Sequence, residues 1–154
     1  MTFTFHEGDL DSEDVAVLLE LHAAGMEASS PPEACHFLVA DALRDPAIRF
    51  FAMRDEDGVL MGIGALKSLG GSEGELKSMR TAPAALGRGI GGAMLARLVA
   101  EARAMGLTRL SLETGSTPDF AAALRLYERE GFTPCGPFGG YEASAFSRFF
   151  SRQI

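Results

Sequence analysis

The sequence predicts an α/β fold, a mixed sheet with helices on its faces, from three observations. Apolar residues recur at helical spacing in some stretches (Met94, Leu95, Leu98, Val99, Ala102, Met105) and fall in short compact runs in others (Ile48 to Met53). The two kinds alternate along the chain instead of segregating. Turn residues such as Asp55-Glu56-Asp57-Gly58 join neighbouring runs as hairpins, so the sheet is not all parallel. A chain of 154 residues with 47% hydrophobic residues can bury about 68–70% of its unfolded surface and needs no disulfide or metal to hold a core. Without repeats or low-complexity linkers, residues 1–154 read as a single domain.

Thr2 to Phe5 alternates like a short strand. Asp11-Ser12 offers a cap to a helix with Val15, Leu18, Leu19 and Leu21 on one side, ended by Pro31-Pro32. A second, shorter helix is expected from Glu33 to about Leu43, with Pro32 in its first turn and Pro46 beyond its end. Ile48 to Met53 and Val59 to Leu69 read as hairpin partners, and Gly70-Gly71-Ser72 turns the chain into the strand Glu75 to Thr81. A loop with Pro83 and the glycines Gly87, Gly89, Gly91 and Gly92 leads into the helix of Met94 to Met105, which Gly106 stops. Leu110 to Thr114 is a strand. Thr117 caps and Pro118 opens a last helix with a buried stripe of Phe120, Leu124 and Tyr127, ended by Gly131. Strands near Phe132 to Cys135 and Ala145 to Phe150 complete the order β-α-α-β-β-β-α-β-α-β-β.

The formal charge of -7 is unevenly placed: residues 1–75 hold 15 acids and 4 bases, residues 76–154 hold 6 acids and 10 bases. The acidic balance argues against nucleic acid, which needs a broad basic face. Cys35 and Cys135 show no CxxC or Cys/His ligand spacing, so no metal and no disulfide framework is expected, and a reducing cytoplasm is the expected setting. No cationic-then-apolar leader opens the chain, and no run approaches the roughly 18 apolar residues of a membrane span, so no membrane partner is expected.

Four glycines within residues 87–92, at a strand-to-helix junction, let a backbone approach a ligand closely and leave the first helical amides pointing outward, a ready site for an anion. Arg88 sits inside the loop, and residues 76–100 hold Lys77, Arg80, Arg88 and Arg97 without an acid. A plain turn is the bland alternative. Gly87, Gly89 and Gly92 also spell GxGxxG, with Glu113 where an NAD(P)-binding fold keeps its ribose-binding acid. Against that reading, Thr81 to Leu86 separate the strand from the first glycine, and hairpins precede it.

The segments Glu75-Leu76-Lys77-Ser78-Met79-Arg80-Thr81, Leu86-Gly87-Arg88-Gly89-Ile90-Gly91 and Ala123 to Phe132 resemble the GCN5-related N-acetyltransferase (GNAT) superfamily, essentially over the whole chain. The family's pyrophosphate loop, (Gln/Arg)-x-x-Gly-x-(Gly/Ala), falls on residues 86 to 91, and its later LY…GF signature on Leu126, Tyr127, Gly131 and Phe132. The chain is also similar to a bacterial subgroup with ELKxM, LETG and PFGxY motifs, here Glu75 to Met79, Leu112 to Gly115 and Pro137 to Tyr141. Two positions depart: Leu86 stands where Arg or Gln is usual, and Phe120 where many members carry Asn. The resemblance implies an acyl-CoA N-acyltransferase fold and an acetyl-CoA-dependent enzyme, without a metal, that moves an acetyl group directly to a primary amine of a small molecule or peptide. It implies cofactor contacts from the backbone of Met79, Arg80 and Thr81, from Gly87, Arg88, Gly89, Ile90, Gly91 and Gly92, and from Phe120, Ala123 and Tyr127.

Tyr127 matches the family tyrosine that points at the cofactor sulfur, where a phenol of pKa about 10 can protonate a thiolate. It also lies on the apolar stripe, which is where a plain core tyrosine would stand. Glu75 matches the carboxylate used as general base, a role that a partly dry cleft favours by raising its pKa; the alternative is a solvated strand-end acid. Glu113 and His36 are candidates on the acceptor side, and His36 reads equally as structural. The acid-rich first half is expected to form the acceptor wall, with a mild preference for cationic amines; the alternative is that most of those acids are simply solvated surface. A non-catalytic acyl-CoA sensor is the rival reading. A homodimer is also open, since Phe138, Tyr141, Phe146, Phe149 and Phe150 read either as final strands or as an interface.

Overall fold

The computed structural model describes residues 2–29 and 42–154, with the backbone alone for 26–29. The helix expected from Glu33, together with Cys35 and His36, lies outside the described residues. Seven strands, β1 (Thr4–Glu7), β2 (Ile48–Arg54), β3 (Leu60–Gly70), β4 (Glu73–Thr81), β5 (Arg109–Gly115), β6 (Thr133–Cys135) and β7 (Ser147–Gln153), form one sheet in the order β1-β2-β3-β4-β5-β7-β6. The helices are α1 (Glu13–Ser29), α2 (Ile90–Ala104) and α3 (Ala121–Arg129). Every neighbouring pair is antiparallel except β4 and β5. A sheet with one parallel pair is not the doubly wound sheet that the GxGxxG reading requires.

Alternation along β2 divides the core between the two faces. Phe51 and Met53 join Met94, Leu95, Leu98 and Val99 of α2, while Phe50 and Ala52 join Val15, Leu18 and Leu19 of α1. The α1 stripe differs from expectation in one residue: Leu21 is exposed, and His22 is buried in its place, since positions 15, 18, 19 and 22 share a helical face. Both glycine stops form as expected. Gly106 and Gly131 adopt φ of 80° and 90°, and the amides beyond them close back onto α2 and α3, Leu107 N–H to Ala102 C=O at 3.0 Å and Phe132 N–H to Tyr127 C=O at 2.9 Å.

Two expectations at the ends of elements are corrected. Thr117 makes no side-chain capping bond, because Pro118 to Phe120 form a 3₁₀ turn and α3 begins only at Ala121. The final strand starts at Ser147, two residues later than expected, and runs on to Gln153 because β5 offers it partners from Gly115 to Arg109. The tail aromatics pack within the chain: Phe138 meets Tyr141 and Phe149 with ring centroids 5.4 and 5.8 Å apart, and Phe146 meets Phe120 at 5.7 Å.

The feature that positions the site is a divergence of the parallel pair. β4 and β5 are in register only over Glu73 to Glu75 and Arg109 to Ser111. Beyond that point, Leu76 to Thr81 pair with β3 alone, and Leu112 to Gly115 with β7 alone. Opposite Gly64, β4 accommodates both Ser78 and Met79, a bulge with Ser78 at φ 53°.

Candidate active site

The diverging strands open a cleft of about 750 Å³, lined by β4 from Glu75 to Thr81, by the glycine loop and first turn of α2, by Leu112 to Thr114 of β5, and by residues of α1 and α3. Divergence leaves the facing backbone edges of both strands without sheet partners, so the cleft is walled by main-chain donors and acceptors that a ligand can satisfy.

At the mouth, Gly87 and Gly89 take φ of 77° and 76°, and Gly89 occupies the N-cap of α2. The first amide of that helix to find a helical carbonyl is Ala93, which bonds Gly89 at 3.1 Å, so the amides of Ile90, Gly91 and Gly92 remain directed outward. A side chain at Gly91 would come within 3.2 Å of Leu126. Leu86, the departure from the family loop, is 67% exposed. Phe120 and Ala123 line the cleft from the α3 side. Phe120 packs so closely on Gly115 that a Cβ there would fall 2.4 Å from its ring.

Tyr127 enters from α3 through the core on the α2 face. It is 9% exposed, its ring packs edge-on against Phe132 at 5.9 Å, and its hydroxyl donates to Met79 Sδ at 3.8 Å. Burial pushes its pKa up to about 12, so it carries its proton throughout the neutral range.

The α1 face of β4 carries a second group of side chains. Glu75 is 3% exposed, neither a solvated strand-end acid nor unpartnered. Its Oε2 accepts from the Tyr141 hydroxyl at 2.7 Å and from Lys77 Nζ at 3.0 Å, while Lys77 also donates to the Tyr141 hydroxyl. Both bonds fall on Oε2, which leaves Oε1 as the oxygen available to the cleft that Glu75 lines. Burial, the hydrogen bond to Glu75 and the charges of Glu75 and Glu113 hold the Tyr141 phenol far above its usual pKa. Glu113 lines the cleft from β5.

Sequence patterns assign no catalytic or acceptor-binding role to Lys77, Tyr141 or His22. The first two carry a readable signal, because Glu75 and Lys77 at i and i+2 share one strand face, and Tyr141 ends the PFGxY motif. Among the described acids of the first half the surface reading holds for most: Glu7 pairs with Arg49, Asp9 and Asp14 with Arg54, and Asp11 with Arg44, and of the described acids in residues 1–75 only Glu75 lines the cleft. The basic segment is likewise dispersed, since Arg97 stacks over Phe5 and Phe51 and pairs with Glu101.

Known proteins resemble this chain over most of its length. The model of the acetyltransferase (GNAT) family matches residues 16–132. An uncharacterised N-acetyltransferase of Escherichia coli strain K12, YedL, is 43% identical over 97% of this chain and 93% of its own length. A second, YsnE of Bacillus subtilis strain 168, is 40% identical over 95% and 96%. A Klebsiella pneumoniae structure assigned as an acyl-CoA N-acyltransferase superposes with a TM-score of 0.79 at 25% identity, over 99% of this chain and 97% of that one. With a diverging parallel pair, a glycine loop opening α2 and relatives that match nearly end to end, the chain belongs to the GNAT family of acetyltransferases and is an acyltransferase.

Proposed function

We propose that residues 1–154 form a single acetyl-CoA-dependent N-acetyltransferase domain that moves an acetyl group directly to a primary amine, with Tyr127 as general acid and Glu75 as general base. The observation that carries this reading is the juxtaposition across one cleft of Tyr127, buried and protonated beside Met79, with Glu75 on the opposite face of β4. The cofactor fits the residues present: outward amides of Ile90 to Gly92 suit a pyrophosphate, and the unpaired edge of Met79 to Thr81 suits an amide-bearing arm.

When bound, acetyl-CoA supplies the acetyl group already activated as a thioester. The chain's own groups then manage charge and protons. The amine reaches the cleft as an ammonium that must lose a proton before it can attack; Glu75 Oε1 accepts it directly or through water. With acetyl-CoA bound, a backbone N–H of Met79, Arg80 or Thr81 would steady the carbonyl oxygen as the C–N bond forms and the C–S bond breaks; Tyr127 would give its proton to the departing sulfur, and the second proton shed by the nitrogen as it becomes an amide would return the phenolate to phenol through water.

A panel of primary amines comprising amino acids, polyamines, aminoglycosides and short peptides, assayed with acetyl-CoA by thiol release, tests the reading. Release with at least one class is expected. Tight acetyl-CoA binding with no release across the panel would instead favour a non-catalytic acyl-CoA sensor.

A further inference from the structure

On the α1 side of the cleft, Arg80 lies close enough to His22 for its charge to be felt there, and no described acid pairs with either. The register pairs Arg80 with Ile63, which belongs to the α1-side core, so its side chain leaves β4 on the face opposite Met79 and Tyr127. There it rests on α1: a Cβ at Gly25 would lie 2.7 Å from Arg80 Nη2. Gly25 is one turn beyond His22, and the positive charge of Arg80 is felt at the His22 ring. Both residues line the cleft.

The polar capacity of this corner is unspent. Other arginines of the chain, such as Arg49, Arg54 and Arg97, form ion pairs, but Arg80 makes none with any described residue. His22 is 7% exposed and its Nδ1 has no hydrogen-bond partner. A buried ring nitrogen left unsatisfied is unfavourable, and an unpaired guanidinium in a partly dry cleft more so, unless a ligand completes them; the Nδ1–H tautomer of His22 would serve an anion. Glu75 and Arg80 leave β4 on the same face, since their partners Lys67 and Ile63 are four residues apart on β3, so an anion held by Arg80 would lie on the side of the cleft that carries Glu75.

We infer that Arg80, with His22 Nδ1, is an anion subsite for the acceptor and holds its carboxylate, so that the acceptor class is a free amino acid or a similar amine bearing a carboxylate. The arrangement divides the acceptor's two charges. Glu75 Oε1 and Glu113 face the amine end, and the planar fork of Arg80 takes the carboxylate end, a geometry that a point charge does not reproduce. Close contact with Gly25 fixes where the fork sits, and glycine at that helical position leaves the space it occupies. The inference rests on the proposed N-acetyltransferase reading for the role of the bound amine, although the subsite itself can be tested by binding alone.

The probes are free L-amino acids, each matched with its own amino-acid amide, titrated by calorimetry into the full chain saturated with coenzyme A. At least one free acid is expected to bind about tenfold or more tightly than its amide, the scale of one charge-assisted hydrogen-bonded pair. Arg80→Met should collapse that preference towards unity, and Arg80→Lys should restore only part of it. Gly25→Ala, which favours the helix and so keeps the protein folded, should lower the preference by crowding the guanidinium. Amides that bind as well as their acids throughout the set, or no binding by any member, would overturn the subsite. So would a preference that survives in Arg80→Met and Gly25→Ala. Thiol release with the same probes is read separately: retained binding preference without turnover rejects the enzymatic reading and leaves the subsite standing.

Discussion

Tyr127 and Glu75 approach the cleft from opposite faces of β4, and the two sites differ in what burial does to them. The Tyr127 hydroxyl has one weak partner, Met79 Sδ, so Tyr127→Phe removes a proton donor and little packing. We expect kcat to fall about 10²-fold or more, the usual worth of a positioned acid, with acetyl-CoA affinity nearly kept; unchanged turnover would remove Tyr127 from the mechanism. His22 makes a different prediction. Burial, and then the charge of Arg80, lower its pKa from 6.5 to about 4. The unfolded chain therefore binds the proton that the folded chain refuses, and stability present above pH 6.5 is lost as the pH falls towards 4, by about 3 kcal/mol at most. The carboxyls of Glu7, Asp9 and Asp14 are held below their usual range by bonds from Arg49, from Ser12 and Arg54, and from Arg54, so their losses come at lower pH. Urea titrations of wild type and His22→Leu at pH 7, 6, 5 and 4.5 should show the loss in the wild type and little of it in the variant. Parallel profiles would assign it elsewhere. Of these residues, the placement of Tyr127 and Glu75 at the cleft was legible in the sequence because both stand in motifs that carry the family resemblance. His22 was not, because a lone histidine on an apolar stripe carries no signal of what α1 will face.

Among the elements, α3 shows why the LY…GF signature has its spacing. Gly131 in the left-handed region lets the Phe132 amide return to the Tyr127 carbonyl, and the same turn sets the Phe132 ring against the Tyr127 ring. The motif is thus a helix stop that fixes both the backbone and the ring of the residue proposed as acid. Gly131→Ala has open space for its methyl, whose closest neighbour would be Arg152 at 3.6 Å, so its cost is the left-handed backbone, about 1–2 kcal/mol. A loss of about 3–6 °C in Tm is expected, together with a drop in kcat larger than the change in acetyl-CoA affinity; a drop confined to stability would show that the stop does not position Tyr127. Glycine stops were readable because positive φ leaves few alternatives to glycine. The β4 bulge was not, since Ser78 at φ 53° is set by the register against Gly64 and not by any local preference of serine.

At the scale of the whole molecule, the sheet is two antiparallel sections, β1 to β4 and β5 to β7, joined edge to edge by only three residues on each strand. Hairpin spacing in the sequence specified β2 to β4, but the pairing of β1 with β2, the pairing of β5 with β7 and the divergence of β4 from β5 depend on contacts between distant segments that no local pattern encodes. The consequence is an open seam whose backbone groups wait for a partner, with α2 and α3 on either side of its mouth. A ligand filling the seam acts as a missing strand and ties the sections together. Binding to the folded state alone raises stability by about 2.7 kcal/mol at a hundredfold excess over Kd, so Tm should climb with acetyl-CoA concentration. Hydrogen exchange locates the effect: amides of Met79 to Thr81 and of Ile90 to Gly92 should slow most on adding acetyl-CoA, while those of Phe51 to Met53, already paired on both sides within the sheet, should change only as far as global stability rises. Protection spread evenly over all strands, with none concentrated at the seam and the glycine loop, would mean that the cofactor binds elsewhere and that the divergence of β4 from β5 is not its site.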